Sequence, residues 1–248
     1  MAALAILFWP VFLTVEQLVM IRLRRLFLAG LVPSLVAVAV SEHATSQVAM
    51  VAGAWVIIAC RLSSLYTGRL LMMVWTTACL AVVPLCLAAY AANLHRLPLL
   101  ATSAQHRLVI WKATSDLIPS APLLGVGIHS GRTISQAEVG RPTAPGTPHT
   151  LSVGWHSHNA FLQVWFETGA VGAGILLCFG LLTLRSIGFK HEGVQPALFA
   201  TFATCTMIAA TGFSAFAPWL VASFAVCALF AALATAQATI TRSVRSEG

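Results

Sequence analysis

Residues 160–184 run apolar, interrupted only by Gln163, Glu167 and a few small polar or glycine positions. At 1.5 Å per helical residue, such a stretch reaches across a hydrocarbon layer about 30 Å thick. Apolar runs read against Lys and Arg positions divide the whole chain into seven spans, roughly 2–20, 26–40, 47–60, 70–92, 159–183, 196–212 and 217–238. The expected fold class is all-α: a polytopic membrane protein of about seven transmembrane helices with one long loop. Composition agrees, because only 8% of residues are charged, against about 25% in a water-soluble domain. The first apolar run has no basic segment ahead of it, so no cleavable signal peptide is read there and the chain is expected to enter the membrane from its first residues.

The net charge of +7 would suggest an anionic partner in a soluble protein. Here most basic residues lie in short connections. Arg22, Arg24 and Arg25, then Arg61 and Arg69, then Arg185 and Lys190, and finally Arg242 and Arg245 alternate with Ser41-Glu-His-Ala-Thr-Ser46 and the 212–218 connection, which carry no Lys or Arg. Positive-inside orientation accounts for this pattern without nucleic acid, and it places the basic connections and the C-terminus in the cytoplasm. Three parts follow: 1–92 with about four helices, 93–158 as an extracytoplasmic loop, and 159–248 with about three helices and a cytoplasmic tail. Cys60, Cys79, Cys86, Cys178, Cys205 and Cys227 all fall in apolar runs with no Cys-x-x-Cys, and read as small core residues with neither a disulfide framework nor a zinc site.

The long loop holds six of the eight histidines (His95, His106, His129, His149, His156, His158) together with Arg96, Arg107, Lys112, Arg132 and Arg141. Within it, Thr102-Ser-Ala-Gln105 has the form of a capping box, and Leu108, Trp111, Ser115 and Ile118 form a helical stripe ended by Pro119. An interfacial helix is expected there. Pro122-Leu-Leu-Gly-Val-Gly127 reads as a tight turn, and 140–154, with Gly140, Pro142, Pro145 and Gly146, as irregular loop.

Arg107, Arg132, His156 and His158 are the residues best suited to chemistry. Guanidinium groups grip diphosphate oxygens in bidentate fashion, and an imidazole takes a proton near neutral pH. Bland readings stand beside these. Arg107 could bind lipid headgroups or snorkel, and Arg132 beside Gly131 could be a solvated loop residue. His156 and His158, two apart, share a face only if the backbone is extended. A metal would want a third ligand, which no cysteine or nearby acid offers, so none is expected. Glu167 should be paired or face a polar cavity, and on an ideal helix it points away from His158, which suggests that it either supports the site from behind or is structural. Gly169, Gly172 and Gly174 suit close packing, and Trp111, Trp155, Trp165 and Trp219 suit the membrane interface.

His158-Asn159, nine residues, Gly169, two residues, Gly172 resembles the motif of the O-antigen ligase family of bacterial inner-membrane glycosyltransferases. His106-Arg107-Leu-Val-Ile-Trp111 and the run from Gly125 and Gly127 to Arg132 are similar to the family's Arg-x-x-x-Trp, Gly-x-Gly and following Arg elements, in the same order. The resemblance is strong over about 105–177. It implies a multi-pass inner-membrane protein with its site facing the periplasm and no cofactor. It also implies a polyprenyl diphosphate-linked glycan as donor and the lipid A core, or another glycan, as acceptor. Carried onto this chain, His158 is the base and Arg107 its catalytic partner at the diphosphate. Arg132, His156 and Asn159 are substrate-binding, while Trp111, Gly125, Gly127, Gly169 and Gly172 are structural.

Two departures stand out. The family's earlier Ser-Arg-like element corresponds to Ser41-Glu-His-Ala-Thr-Ser46, which offers His43 as a substrate-binding residue in place of arginine. Family members commonly have ten or more spans, so this chain is expected to lack their N-terminal helices. Competing readings are a polysaccharide polymerase of the same superfamily, a protein O-glycosyltransferase with the same donor, and a non-catalytic truncated relative in which the basic loop only attracts anionic headgroups.

Overall fold

A computed structural model describes residues 1–16, 21–138, 156–212 and 214–247. The described chain is helical throughout, without strands. In order come α1 (Ala2–Glu16), α2 (Ile21–Val40), α3 (Ala44–Ala91), α4 (Thr102–Leu117), α5 (Ser130–Glu138), α6 (Ala160–Gly188), α7 (Gln195–Thr211) and α8 (Pro218–Glu247), with short 3-10 turns at Leu94–Arg96 and Ile118–Ser120. By length and composition three of them can cross a membrane: Ala44–Ala91, Ala160–Gly188 and Pro218–Thr239. Large apolar side chains stand exposed along them, among them Trp55, Leu62, Ile175 and Phe179. Water would penalise that surface and lipid does not.

Two expected connections turn out to be helical. Arg22, Arg24 and Arg25 belong to the opening turns of α2. The stretch carrying Arg61 and Arg69 lies inside α3, whose 48 residues leave helical geometry only at Ser63 (φ −164°, ψ 112°). The reason is local: the Ser63 hydroxyl accepts the Tyr66 N–H at 3.3 Å, as an N-cap does three residues ahead, so a new helix starts without a loop.

The chain divides into two compact units. The first comprises Met1–Met73, Leu181–Ile208 and Phe216–Gly248. There α1 packs on α8 and α2, burying Ala5, Ile6, Trp9 and Leu13. The Trp9 indole donates to Thr204 Oγ1 at 3.0 Å, and Thr204 in turn donates to the Ala49 carbonyl at 3.2 Å. Gly53 makes room for that indole, since a Cβ there would lie 2.3 Å from Trp9 Nε1. Gln195 closes the α6–α7 connection by donating to the carbonyls of Ile187 and Gly188, and it also meets Ser64 just after the α3 kink.

The second unit comprises Val74–Gly180 and Ala209–Ala215. Indoles tie α3 to α6: Trp75 donates to the Leu177 carbonyl (3.2 Å), Trp165 donates to that of Cys79 (2.6 Å), and Gly180 leaves space for the Trp75 ring. Trp165, expected at the membrane interface, is therefore used inside the helix packing. The stripe of α4 is buried as expected at Leu108, Ser115 and Ile118. Its start differs: Ala101 is the N-cap with no side-chain bond, and Gln105 reaches back to the carbonyls of Leu97 and Leu100, so no capping box forms. Four cysteines are buried, Cys205 is intermediate and Cys178 is exposed. The exposure of Cys178 corrects its reading as a core residue, because it shares the outward face of α6 with Ile175, Phe179 and Leu182. The irregular loop expected at 140–154, with His149, Arg141 and Trp155 next to it, lies outside the described residues.

Candidate active site

Helix α6 begins on an asparagine and breaks on a glycine, and those two positions organise the second unit. Asn159 is the N-cap: its Oδ1 accepts the Leu162 N–H at 3.1 Å and its carbonyl accepts Gln163 N–H at 2.9 Å. Just ahead, His158 sits in the left-handed region (φ 54°), where the chain turns sharply into the helix. That turn brings the rings of His156 and His158 within 4.1 Å, centre to centre. The two histidines thus meet through a left-handed residue and not through an extended backbone.

The break lies at Gly169 (φ 63, ψ −159), in a run expected to be one unbroken span. A helix break in lipid strands backbone groups, and here the Pro122–Gly127 turn satisfies them. Val126 and Gly127 donate to the carbonyls of Phe166 and Glu167 at 3.0 Å each, while Ala170 and Val171 donate to those of Pro122 and Leu123 at 2.9 and 3.2 Å. The approach is backbone on backbone. A Cβ on Gly125 would fall 2.4 Å from the Glu167 carbonyl carbon, and one on Gly169 would fall 2.4 Å from that of Leu123. Gly172 leaves room for the Thr168 side chain, and Gly127 (φ 102°) passes close to Ser130.

Two further elements converge on the His158 corner. From α4, Arg107 and Trp111 stand four residues apart and so on one face. The Trp111 indole donates to the Ser157 carbonyl at 2.7 Å, and Arg107 Nη1 donates to the Thr211 carbonyl at 2.5 Å. From the end of α7, the Gly212 carbonyl lies 3.0 Å from His158 Nδ1. A carbonyl can only accept, so Nδ1 carries the hydrogen, and in the neutral imidazole the lone pair is then on Nε2. Burial pushes the His156 pKa below its usual 6.5, and the neighbouring His158 and Arg107 push it the same way. Trp111, Asn159 and Phe161 also line an apolar recess of about 390 Å³ whose other wall is Val82, Leu85 and Cys86 of α3.

Arg107, His156 and His158 are thus gathered at one corner. Arg132 stands exposed on the first turn of α5, with its backbone N–H bonded to the His129 carbonyl at 3.2 Å. His43 belongs to the other unit, in the turn before α3, where its Nδ1 meets the Ser46 hydroxyl at 2.9 Å. Glu167 is buried, and its Oε2 accepts the His129 N–H at 2.8 Å. Sequence reasoning passed over Gln163 and the 211–215 segment. A usable signal existed in the spacing of Gln163 and Glu167, two polar residues four apart in an otherwise apolar run.

A profile of the O-antigen ligase family matches residues 29–177, more than half of the chain. The chain belongs to the O-antigen ligase family. Three Rickettsia proteins, each named provisionally as a polysaccharide ligase, are similar to it over 121 residues: those of R. prowazekii and R. typhi at 28% identity and that of R. conorii at 27%. The aligned stretch is 48% of this chain and 29% of each relative, so the chain spans under a third of their length in that match. No solved structure matches. The matched range contains Arg107, Trp111, Gly125, Gly127, His156, His158, Gly169 and Gly172.

Proposed function

We propose that this chain transfers a glycan from a polyprenyl diphosphate carrier to an acceptor hydroxyl, that of the lipid A core, at the periplasmic face of the inner membrane. The observation that carries the reading is the corner itself: an imidazole with Nε2 as its basic nitrogen, a guanidinium beside it, and an apolar recess lined by the neighbouring Asn159 and Trp111. His158 Nε2 removes the proton of the acceptor hydroxyl, and the oxygen bonds to the anomeric carbon. The bond from that carbon to the diphosphate oxygen breaks, and polyprenyl diphosphate leaves with the electron pair. Arg107 stabilises the departing charge, and Arg132 supplies a second guanidinium from α5. The recess lined by Phe161 and Leu85 accepts the first isoprene units of the carrier. Asn159 and Trp111 hold the histidine segment in place.

In the same reading the chain crosses the membrane about seven times, with its basic connections in the cytoplasm and 93–158 outside. The two helical halves of α3 either side of Ser63 count as separate crossings. At about 1.5 Å per residue its 48 residues measure about 72 Å, more than twice a hydrocarbon layer of about 30 Å.

Glycan analysis of cells lacking the gene tests the reaction class. Long polymer stranded on polyprenyl diphosphate, cleared by the wild-type chain, supports the ligase. Accumulated single repeat units would assign a polymerase instead, and an unchanged profile would leave a non-catalytic relative.

A further inference from the structure

The first half of α6 buries two polar side chains that the reaction above does not use. Gln163 and Glu167 are each 2% exposed and lie one helical turn apart, and between them they make four hydrogen bonds. Glu167 Oε2 accepts the His129 N–H at 2.8 Å, and its Oε1 accepts Gln163 Nε2 at 2.9 Å. Gln163 Nε2 also donates to Ser214 Oγ at 3.0 Å, and Gln163 Oε1 accepts the Ala215 N–H at 2.9 Å. Burying such groups costs several kcal/mol each unless every bond is made, so the pair holds its partners firmly.

Those partners matter because of what lies beside them. Ser214 and Ala215 come two and three residues after Gly212, which with Thr211 supplies the carbonyls that hold His158 and Arg107. The other end of the pair fixes His129, three residues before Arg132. We infer that Gln163 and Glu167 are positioning residues that hold Ser214 and Ala215 close after Thr211 and Gly212, and through the carbonyls of those two residues fix the Nδ1–H tautomer of His158 and the placement of Arg107. The pair touches no reacting atom. This inference deepens the proposed transfer and rests on it for its catalytic consequence.

Exchanging the two side chains separates positioning from mere filling. In Gln163→Glu two carboxyl groups meet, and in Glu167→Gln the amides compete. In the double exchange a carboxylate at 163 accepts from Ala215, Ser214 and the amide at 167, whose oxygen accepts from His129, so all the bonds are kept. The test uses the full chain, purified and reconstituted with ¹⁵N-labelled histidine, and reads both the His158 ring nitrogens by NMR and the glycan transfer rate from a polyprenyl diphosphate donor. Each single variant is expected to mix the His158 tautomers and to lower turnover about 100-fold, with donor KM little changed. The double exchange is expected to return the Nδ1–H tautomer and turnover to within about 3-fold of wild type. A His158 tautomer unmoved in the folded single variants, or a folded double exchange no better than the singles, overturns the inference. Wild-type protein that transfers nothing, while the His158 tautomer shifts in the single variants and returns in the double exchange, would overturn the proposed reaction and leave the positioning role standing.

Discussion

Arg107 and His158 are bonded to consecutive backbone carbonyls, those of Thr211 and Gly212, so one short segment at the end of α7 sets both the guanidinium and the imidazole. Neither side chain can shift without breaking its bond to the end of α7 or the residue after it. In the proposed reaction this gives a base and a diphosphate ligand a fixed relative position before substrate arrives, which is where orientation lowers a barrier most.

The base should therefore be separable from the scaffold. His158→Ala removes Nε2 but leaves the Asn159 cap and the Gly169 break intact. Transfer should fall by about 10²- to 10⁴-fold, the usual contribution of a general base, while the protein stays folded in the membrane. Rate measurement alongside thermal unfolding of the same preparation checks both halves of the statement.

Arg107→Lys keeps the charge and loses the planar fork. A diphosphate gripped by two parallel N–H donors should lose at least about tenfold in affinity, since lysine offers only a point charge. A surface that merely attracts anionic headgroups would bind as before. Equilibrium binding of a short-chain polyprenyl diphosphate to the two proteins distinguishes these outcomes.

The glycines should rank by what a methyl group would meet. Gly169 has a backbone conformation open in practice only to glycine, and a Cβ there collides with the Pro122–Gly127 turn. Gly169→Ala should cost at least about 3 kcal/mol, and Gly125→Ala, at φ +69° against the Glu167 backbone, a similar amount. Gly172→Ala should cost less, because the neighbour that must move is the Thr168 side chain. Gly174, with nothing within 4 Å, is the control. There alanine should be neutral or stabilising by up to about 1 kcal/mol. Unfolding of the four variants in one detergent gives the order.

His156 predicts the direction of a pH dependence. Its pKa in the folded protein is lowered by burial, and further by His158 and Arg107, whereas the unfolded chain keeps the usual 6.5. Between the two values the unfolded state binds more protons, so stability rises with pH there. The contribution is complete above pH 6.5 and is lost as pH falls from there through the folded-state pKa. His156→Gln should flatten this part of the profile, as denaturation at a series of pH values would show.

The residues of the corner were legible because each has a chemistry of its own: Arg107 and Trp111 at helical spacing, His158 and Asn159 at a polar to apolar boundary, and Gly169 and Gly172 beyond. What joins them was not legible, because the joining atoms are backbone. Nothing in the identities of Thr211 and Gly212 marks their carbonyls as acceptors for residues more than fifty positions away. The break at Gly169 was hidden for the same reason, since a glycine in an apolar run reads as packing until another backbone is found against it. Hydropathy likewise placed a connection at Arg61 and Arg69, yet a single serine cap at Ser63 lets helix follow helix. His156 and His158 were placed on one face only by an extended backbone, and the left-handed turn at His158 supplies another route.

Transfer in a defined system tests the account most directly. The purified chain, reconstituted with a polyprenyl diphosphate-linked glycan and lipid A core, should form a glycan-bearing lipid A product and release polyprenyl diphosphate in equal amount. The His158→Ala chain should form almost none. Equal product from wild type and His158→Ala would contradict the assignment of His158 as the base, and with it the central claim.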